Sequence, residues 1–134
     1  MKREELQALI VEFQELNQTM QQLEKQQGLL QNQMLELMLA RQNIDEMQKV
    51  KKGTEILVPI SSGVYAKANI NETDEFIINI GAEVTVPKSA ALTKEMLLAQ
   101  VEEIQKMQQA LSSEMEENTM KAAKMEQKIR DLAR

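Results

Sequence analysis

Apolar residues recur at alternating steps of three and four along the first third of the chain. This spacing is the heptad seam of a left-handed coiled coil, and Glu, Gln, Asn and Lys fill most of the positions between. A helix of about 50 residues is about 75 Å long, which one compact core of a 134-residue chain does not bury. Ten of the twelve seam positions are apolar, and the series is Leu6, Leu9, Phe13, Leu16, Met20, Leu23, Gln27, Leu30, Met34, Leu37, Arg41 and Ile44.

A second seam of the same spacing runs from Leu97 to Leu132, and its polar interruptions are Gln108 and Asn118. If the chain folds back between the two seams, facing residues have numbers that sum to about 138, and the heptads stay in phase. The two seams therefore predict an antiparallel two-helix coiled coil, with Leu6 facing Leu132. A shift of one heptad satisfies the same pattern.

Four short runs rich in Val and Ile lie between the seams, within residues 55–87. Their period-two alternation and the breaks at 61–63 and 81–82 predict two β-hairpins, and Pro59 indicates an edge or a bulge. Two isolated hairpins are marginal in water, so we expect them to pair with strands of other subunits. The residues predicted to mediate oligomerisation are Ile56, Val58, Ile60, Val64, Ile70, Phe76, Ile78, Ile80, Val84 and Val86.

The predicted fold class is therefore α+β, a long coiled coil with two hairpins inserted between its helices. We expect a single domain over 1–134, with the first helix at 1–52, the hairpins at 53–88 and the second helix at 89–134. Both chain ends meet at the end of the coiled coil remote from the hairpins. Fraying of helix ends would there expose apolar side chains, namely Leu6, Leu9, Ile10, Phe13, Met125, Ile129 and Leu132.

These apolar side chains have two interpretations. They are either the last layers of the seam or a surface that contacts other polypeptides. Ile10 lies off the narrow seam, which favours a contact surface.

The composition argues against several classes of function. The chain has no His and no Cys, and its four glycines stand singly, so we expect no enzyme, no metal site and no cofactor. A net charge of −5 without a basic segment argues against a nucleic-acid partner. No apolar run is long enough to span a membrane and no secretory signal is visible, so we expect a soluble, cytoplasmic protein.

The segments Glu55–Ala68 and Phe76–Val86 resemble the prefoldin family, in particular its α-class subunits, which have two hairpins where β-class subunits have one. Ala82-Glu83 departs from the common Gly-Ala-Gly form of that class. The resemblance implies a hexamer of two α-class and four β-class subunits whose hairpins join into an oligomeric β-barrel platform. It also implies coiled-coil tips that hold unfolded client proteins for a group II chaperonin, as in archaea and the eukaryotic cytosol. Some α-like relatives form filaments instead.

Two hypotheses of function follow. The first is an ATP-independent holdase chaperone that captures unfolded polypeptide at the coiled-coil tip. The second is a structural protein, either a coiled-coil adaptor that binds one folded partner or a filament-forming prefoldin-like chain. Activity toward unrelated unfolded proteins would separate them.

Overall fold

The computed structural model describes residues 2–134, which form two compact units. The coil unit combines the residues up to Met34 with Glu102–Arg134, and the hairpin unit is Leu35–Val101. Helix–hairpin–hairpin–helix is the predicted order, and it is confirmed. The elements are α1 (Lys2–Gln48), β1 (Glu55–Ser61), β2 (Val64–Asn69), β3 (Glu75–Gly81), β4 (Val84–Ser89) and α2 (Ala90–Ala133).

In the coil unit, the side chains removed from water are those at the predicted seam positions. From Lys2 to Met34, and again from Glu102 to Arg134, each seam residue is buried or half-buried and every residue between them is exposed. Apolar burial of about 25 cal/mol per Å² along this narrow stripe stabilises the pair of helices. Periodicity alone therefore located the packed face correctly.

Side-chain hydrogen bonds across the coil unit determine its register. Gln27 Nε2 donates to Ser112 Oγ at 3.0 Å, and Gln108 Nε2 donates to Gln31 Oε1 at 3.2 Å. The residue numbers of each bonded pair sum to 139, one more than the predicted 138. The helices are thus antiparallel in the predicted register, and the alternative shifted by one heptad is excluded.

In the hairpin unit, helix α1 departs from the predicted seam at Arg41. Arg41 is exposed, and Ala40 takes its place among the half-buried residues, followed by Ile44. Keeping the guanidinium in water avoids the large cost of burying a charge without a partner. The helix also ends four residues before the predicted 52, at Gln48.

Lys94, near the start of α2, links the elements of the hairpin unit. Its Nζ donates to Asp45 Oδ1 at 2.6 Å and to Gln48 Oε1 at 2.8 Å. Gln48 Nε2 in turn donates to Asp74 Oδ1 in the segment between the hairpins, at 2.8 Å. The hydrogen bond from Lys94 holds the pKa of the Asp45 carboxyl below its ordinary value. Ser89 caps α2, as predicted, by accepting the Leu92 N–H at 3.2 Å.

The strands form two separate two-stranded antiparallel sheets, β1 with β2 and β3 with β4. In the first, the register shifts between Pro59 and Ser61, so the predicted bulge is present. A second irregularity lies between Asn79 and Gly81. Neither sheet pairs with the other, so every strand has one edge whose backbone groups lack a partner strand within residues 2–134.

The turn between β3 and β4 is strained. Ala82 and Glu83 have φ of 51° and 63°, the left-handed values of a type I′ turn, which Gly, Asn and Asp adopt far more readily. The departure from Gly at this turn therefore leaves it tight and places side chains in an unfavourable backbone conformation.

We expect Glu83→Gly to stabilise the chain by about 1 kcal/mol, because Gly adopts positive φ without the steric penalty of a Cβ. Thermal denaturation followed by circular dichroism measures the change. Glu83→Ala is the matched control, since it removes the charge and keeps the Cβ. An equal gain from the control would show that charge, and not backbone strain, limits stability.

Gly28 lies within helix α1, where a Cβ would meet no other atom within 4 Å. We expect Gly28→Ala to stabilise the chain by about 1 kcal/mol, because Ala is the better helix former. Gly53 is the matched control, because it has the same open space but a φ of 87°. Gly53→Ala should lower the melting temperature, and a rise in both variants would contradict the role of backbone conformation.

Candidate functional site

The distal end of the coil unit is the end where α1 begins and α2 stops. Lys2 Nζ lies 3.5 Å from the Arg134 carbonyl oxygen there, so the two helix ends are adjacent. Six of the seven predicted contact residues are half-buried and the seventh, Ile10, is 39% exposed. Leu23, further along the same seam, is only 6% exposed. The half-buried residues are Leu6, Leu9, Phe13, Met125, Ile129 and Leu132.

Two open grooves lie at the distal end, and Leu132 contributes to both. One has a volume of about 500 Å³ and is lined by Glu5, Ala8, Leu9, Lys128, Asp131 and Leu132. The other, of about 370 Å³, is lined by Lys2, Arg3, Leu6, Leu132 and Ala133. Each groove thus has an apolar floor and a charged rim. The sequence prediction included the floor and missed the rim, although rim residues flank the seam as helical spacing requires.

A third apolar groove lies in the middle of the coil unit. Its volume is about 430 Å³, and exposed Leu29 and Met107 stand on its walls. The polar residues lining it are Gln26 and Gln33, which carry no charge. Sequence analysis missed this groove because Leu29 and Met107 lie outside the heptad series.

Asn118 is a buried polar residue in the seam of α2. It is 8% exposed, and its side chain makes no hydrogen bond to any residue from 2 to 134. A buried polar group without a partner costs about 1–3 kcal/mol. Gln27 and Gln108, the other polar seam residues of the coil unit, each donate a hydrogen bond across the helix pair. Asn118 is therefore a weak layer in the coiled coil.

The residues predicted to mediate oligomerisation lie largely exposed on the hairpins. Directly paired residues share a face, which places Val58 with Ala66 and Ile78 with Val86. Ile70 differs, because it is 8% exposed and exchanges backbone hydrogen bonds with Gly53 and Thr54. Those more than a third exposed are Val58, Ile60, Val64, Ile80 and Val84, and those half-buried are Ile56, Phe76, Ile78 and Val86.

The opposite face of each hairpin also carries exposed apolar side chains, which the sequence prediction left out. Leu57 and Tyr65 are exposed on the first hairpin, and Ile77 on the second. Alternation assigned them to the solvent face, where isolated apolar residues are common.

Residues 2–134 contain no group of His, Cys, Asp and Glu side chains arranged to hold a metal ion. Within the same residues, neither helix has an apolar stretch long enough to cross a membrane.

A family model described as prefoldin subunit matches residues 3–134. The chain belongs to the prefoldin family. Its two hairpins agree with the α class, and so do its relatives. It is 28% identical over 122 residues to prefoldin subunit alpha of Thermofilum pendens, covering 91% of this chain and 95% of that one. Over 91 residues it is 35% identical to prefoldin subunit alpha of Methanothrix thermoacetophila, covering 68% of this chain and 60% of that one.

The fold agrees with a solved prefoldin structure. A cryo-EM structure of filamentous prefoldin from Methanocaldococcus jannaschii matches 93% of this chain and 98% of that chain, with a TM-score of 0.73 and 14% identity. At this identity the match shows the fold alone. Prefoldin subunits are chaperone components and not enzymes, which agrees with the absence of His and Cys from this prefoldin chain.

Proposed function

We propose that this prefoldin chain is a subunit of an ATP-independent holdase that captures unfolded polypeptide at the distal end of its coil unit. The observation that carries the proposal is the incomplete burial of the predicted contact residues, among them Leu6, Leu9 and Leu132, along grooves open to solvent. A native globular protein covers such side chains, whereas an unfolded client has apolar residues of its own to place in the grooves.

The grooves suit weak and unselective binding. Burying one client side chain of Leu size yields about 1.5–3 kcal/mol, which by itself gives only weak affinity. Several coiled coils that act on the same client multiply that affinity through effective concentration. Lys128 and Asp131 line the same groove, so its rim presents both signs of charge to a client.

The hairpins supply the means of assembly. Their exposed apolar faces and unpaired strand edges are what a second subunit would cover. We propose that two chains of this kind join four β-class subunits, which have one hairpin each, in a closed β-barrel platform. Membership of the prefoldin family supports this stoichiometry, as it does delivery of the client to a group II chaperonin in the cytoplasm.

The test is suppression of aggregation without ATP. The chain, purified with its assembly partners, is mixed with a chemically denatured, unrelated enzyme, and light scattering is followed during dilution from denaturant. We expect scattering to fall as the assembly approaches stoichiometric amounts, and a native form of the same enzyme should not bind. Binding restricted to one folded protein would support the adaptor hypothesis and contradict the holdase.

A filament is the second candidate assembly, and the filamentous structural relative favours it. Native mass spectrometry of the chain, alone and with β-class subunits, separates the two. A closed hexamer gives one mass that does not change with concentration. An open series of masses that grows with concentration would contradict the hexamer.

A further inference from the structure

We propose that Asn118 sets how far the distal end of the coiled coil opens, so that clients bind the separated inner faces of both helices from this layer to the chain ends. This inference rests on the proposed holdase function and names the surface that the client reaches. The opening segments are residues 2–20 of α1 and 118–134 of α2.

The first argument is the state of the seam amides. Gln27 and Gln108 each donate a hydrogen bond across the helix pair, at 3.0 and 3.2 Å, and separation of the helices would break both bonds. The Asn118 side chain has no hydrogen-bond partner among residues 2–134 although it is buried. Separation of the helices lets water satisfy this amide, so opening is favoured at this layer and opposed at the two glutamines.

The second argument comes from two threonines at the same level of the coiled coil. Thr19 Oγ1 donates to the Glu15 carbonyl at 3.1 Å, and Thr119 Oγ1 donates to the Met115 carbonyl at 2.8 Å. Such bonds to the carbonyl four residues earlier often bend helices. The numbers of the two threonines sum to 138, so by the register they face the same layer from opposite helices. Both helices thus carry a bending residue next to the weak layer.

Opening at this layer exposes more than the predicted contact residues. Leu16 and Ala122, half-buried in the closed coil, become part of the client surface. Ala122 contributes little apolar area to the closed seam, so the layer just beyond Asn118 is also easy to separate. The enlarged surface has one apolar face on each helix, and an extended client segment fits between them.

Hydrogen–deuterium exchange on the full-length chain in its assembly tests the opening. We expect amides of residues 2–20 and 118–134 to exchange about tenfold faster than those of 23–34 and 104–115, with a step at the Asn118 layer. Asn118→Leu should slow the distal amides about tenfold, because it replaces an unsatisfied amide with an apolar side chain. Gradual fraying from the chain ends, without a step, would overturn the proposal.

Client binding tests the functional consequence, with reduced and carboxymethylated α-lactalbumin as a permanently unfolded probe. Asn118→Leu should lower the rate of probe binding about tenfold, in proportion to the loss of open coil. Gln108→Leu is the matched control, since it makes the same exchange of amide for Leu on the other side of the weak layer, and it should bind like wild type.

The outcomes separate this inference from the function on which it rests. If wild type binds the probe and serine substitutions at the distal contact residues abolish binding, the holdase function stands. Unchanged binding by Asn118→Leu would then refute the opening at Asn118 alone. Equal losses in Asn118→Leu and Gln108→Leu would refute it too, because general stiffening would explain both. Loss of the distal residues without any loss of binding refutes the proposed function.

Discussion

Serine at Leu6, Leu9, Phe13, Ile129 and Leu132 together will abolish suppression of client aggregation and leave the oligomer intact. Each substitution removes an apolar side chain worth about 1.5–3 kcal/mol when buried against a client. Their combined loss exceeds the affinity of a weak, multivalent binder. Assembly should survive because the hairpin unit, which carries the strand edges, is unchanged. Light scattering during client dilution reports capture, and native mass spectrometry reports assembly.

The matched control changes apolar residues of the same coil unit away from its distal end. Leu29 and Met107, both exposed, stand on the walls of the middle groove. Leu29→Ser with Met107→Ser should capture client like wild type. If this control loses capture and the distal variant keeps it, the middle groove is the client site and the proposed location is wrong.

Lysine in place of Val58 will weaken assembly by about 100-fold in dissociation constant. Burying an ammonium group without a partner costs several kcal/mol, and about 1.4 kcal/mol corresponds to a factor of ten. Val58 is 41% exposed in the single chain, so the substitution should leave the monomer folded. Concentration-dependent native mass spectrometry measures the assembly, and circular dichroism confirms helix content.

Leu57 provides the control, because adjacent strand residues point to opposite faces and Leu57 is 61% exposed. Leu57→Lys introduces the same charge one residue away and should assemble normally. Assembly lost only in Leu57→Lys would show that the opposite face of the hairpin is the interface. Assembly retained in both variants would show that neither face of this hairpin carries it.

The long helices and their pairing were predictable because a narrow seam repeats over many heptads. Each repeat adds the same information, so a single polar residue such as Gln27 does not obscure the pattern. Arg41 shows the limit, because the seam shifts there to Ala40 and one step cannot be inferred from the average period. The bulge after Pro59 was also predictable, since Pro cannot donate to a strand ladder.

Other features depend on contacts between residues distant in sequence. Ile70 alternates like its neighbours but is buried beside Gly53 and Thr54, and no local pattern announces that contact. Lys94 appeared as one more solvated charge, yet it hydrogen-bonds to Asp45 and Gln48 from the other helix. The Asn118 layer was visible as a polar seam position, but its lack of a partner depends on which residue faces it.

The two unpaired hairpins have a consequence for how much of this chain a cell can make safely. Each sheet ends in open edges on both sides, so a newly added copy offers as many docking strands as it covers. Growth therefore halts only when the ring closes or when a one-hairpin subunit occupies the last place. The abundance of that companion relative to this chain would then set the boundary between a finite particle and runaway polymerisation.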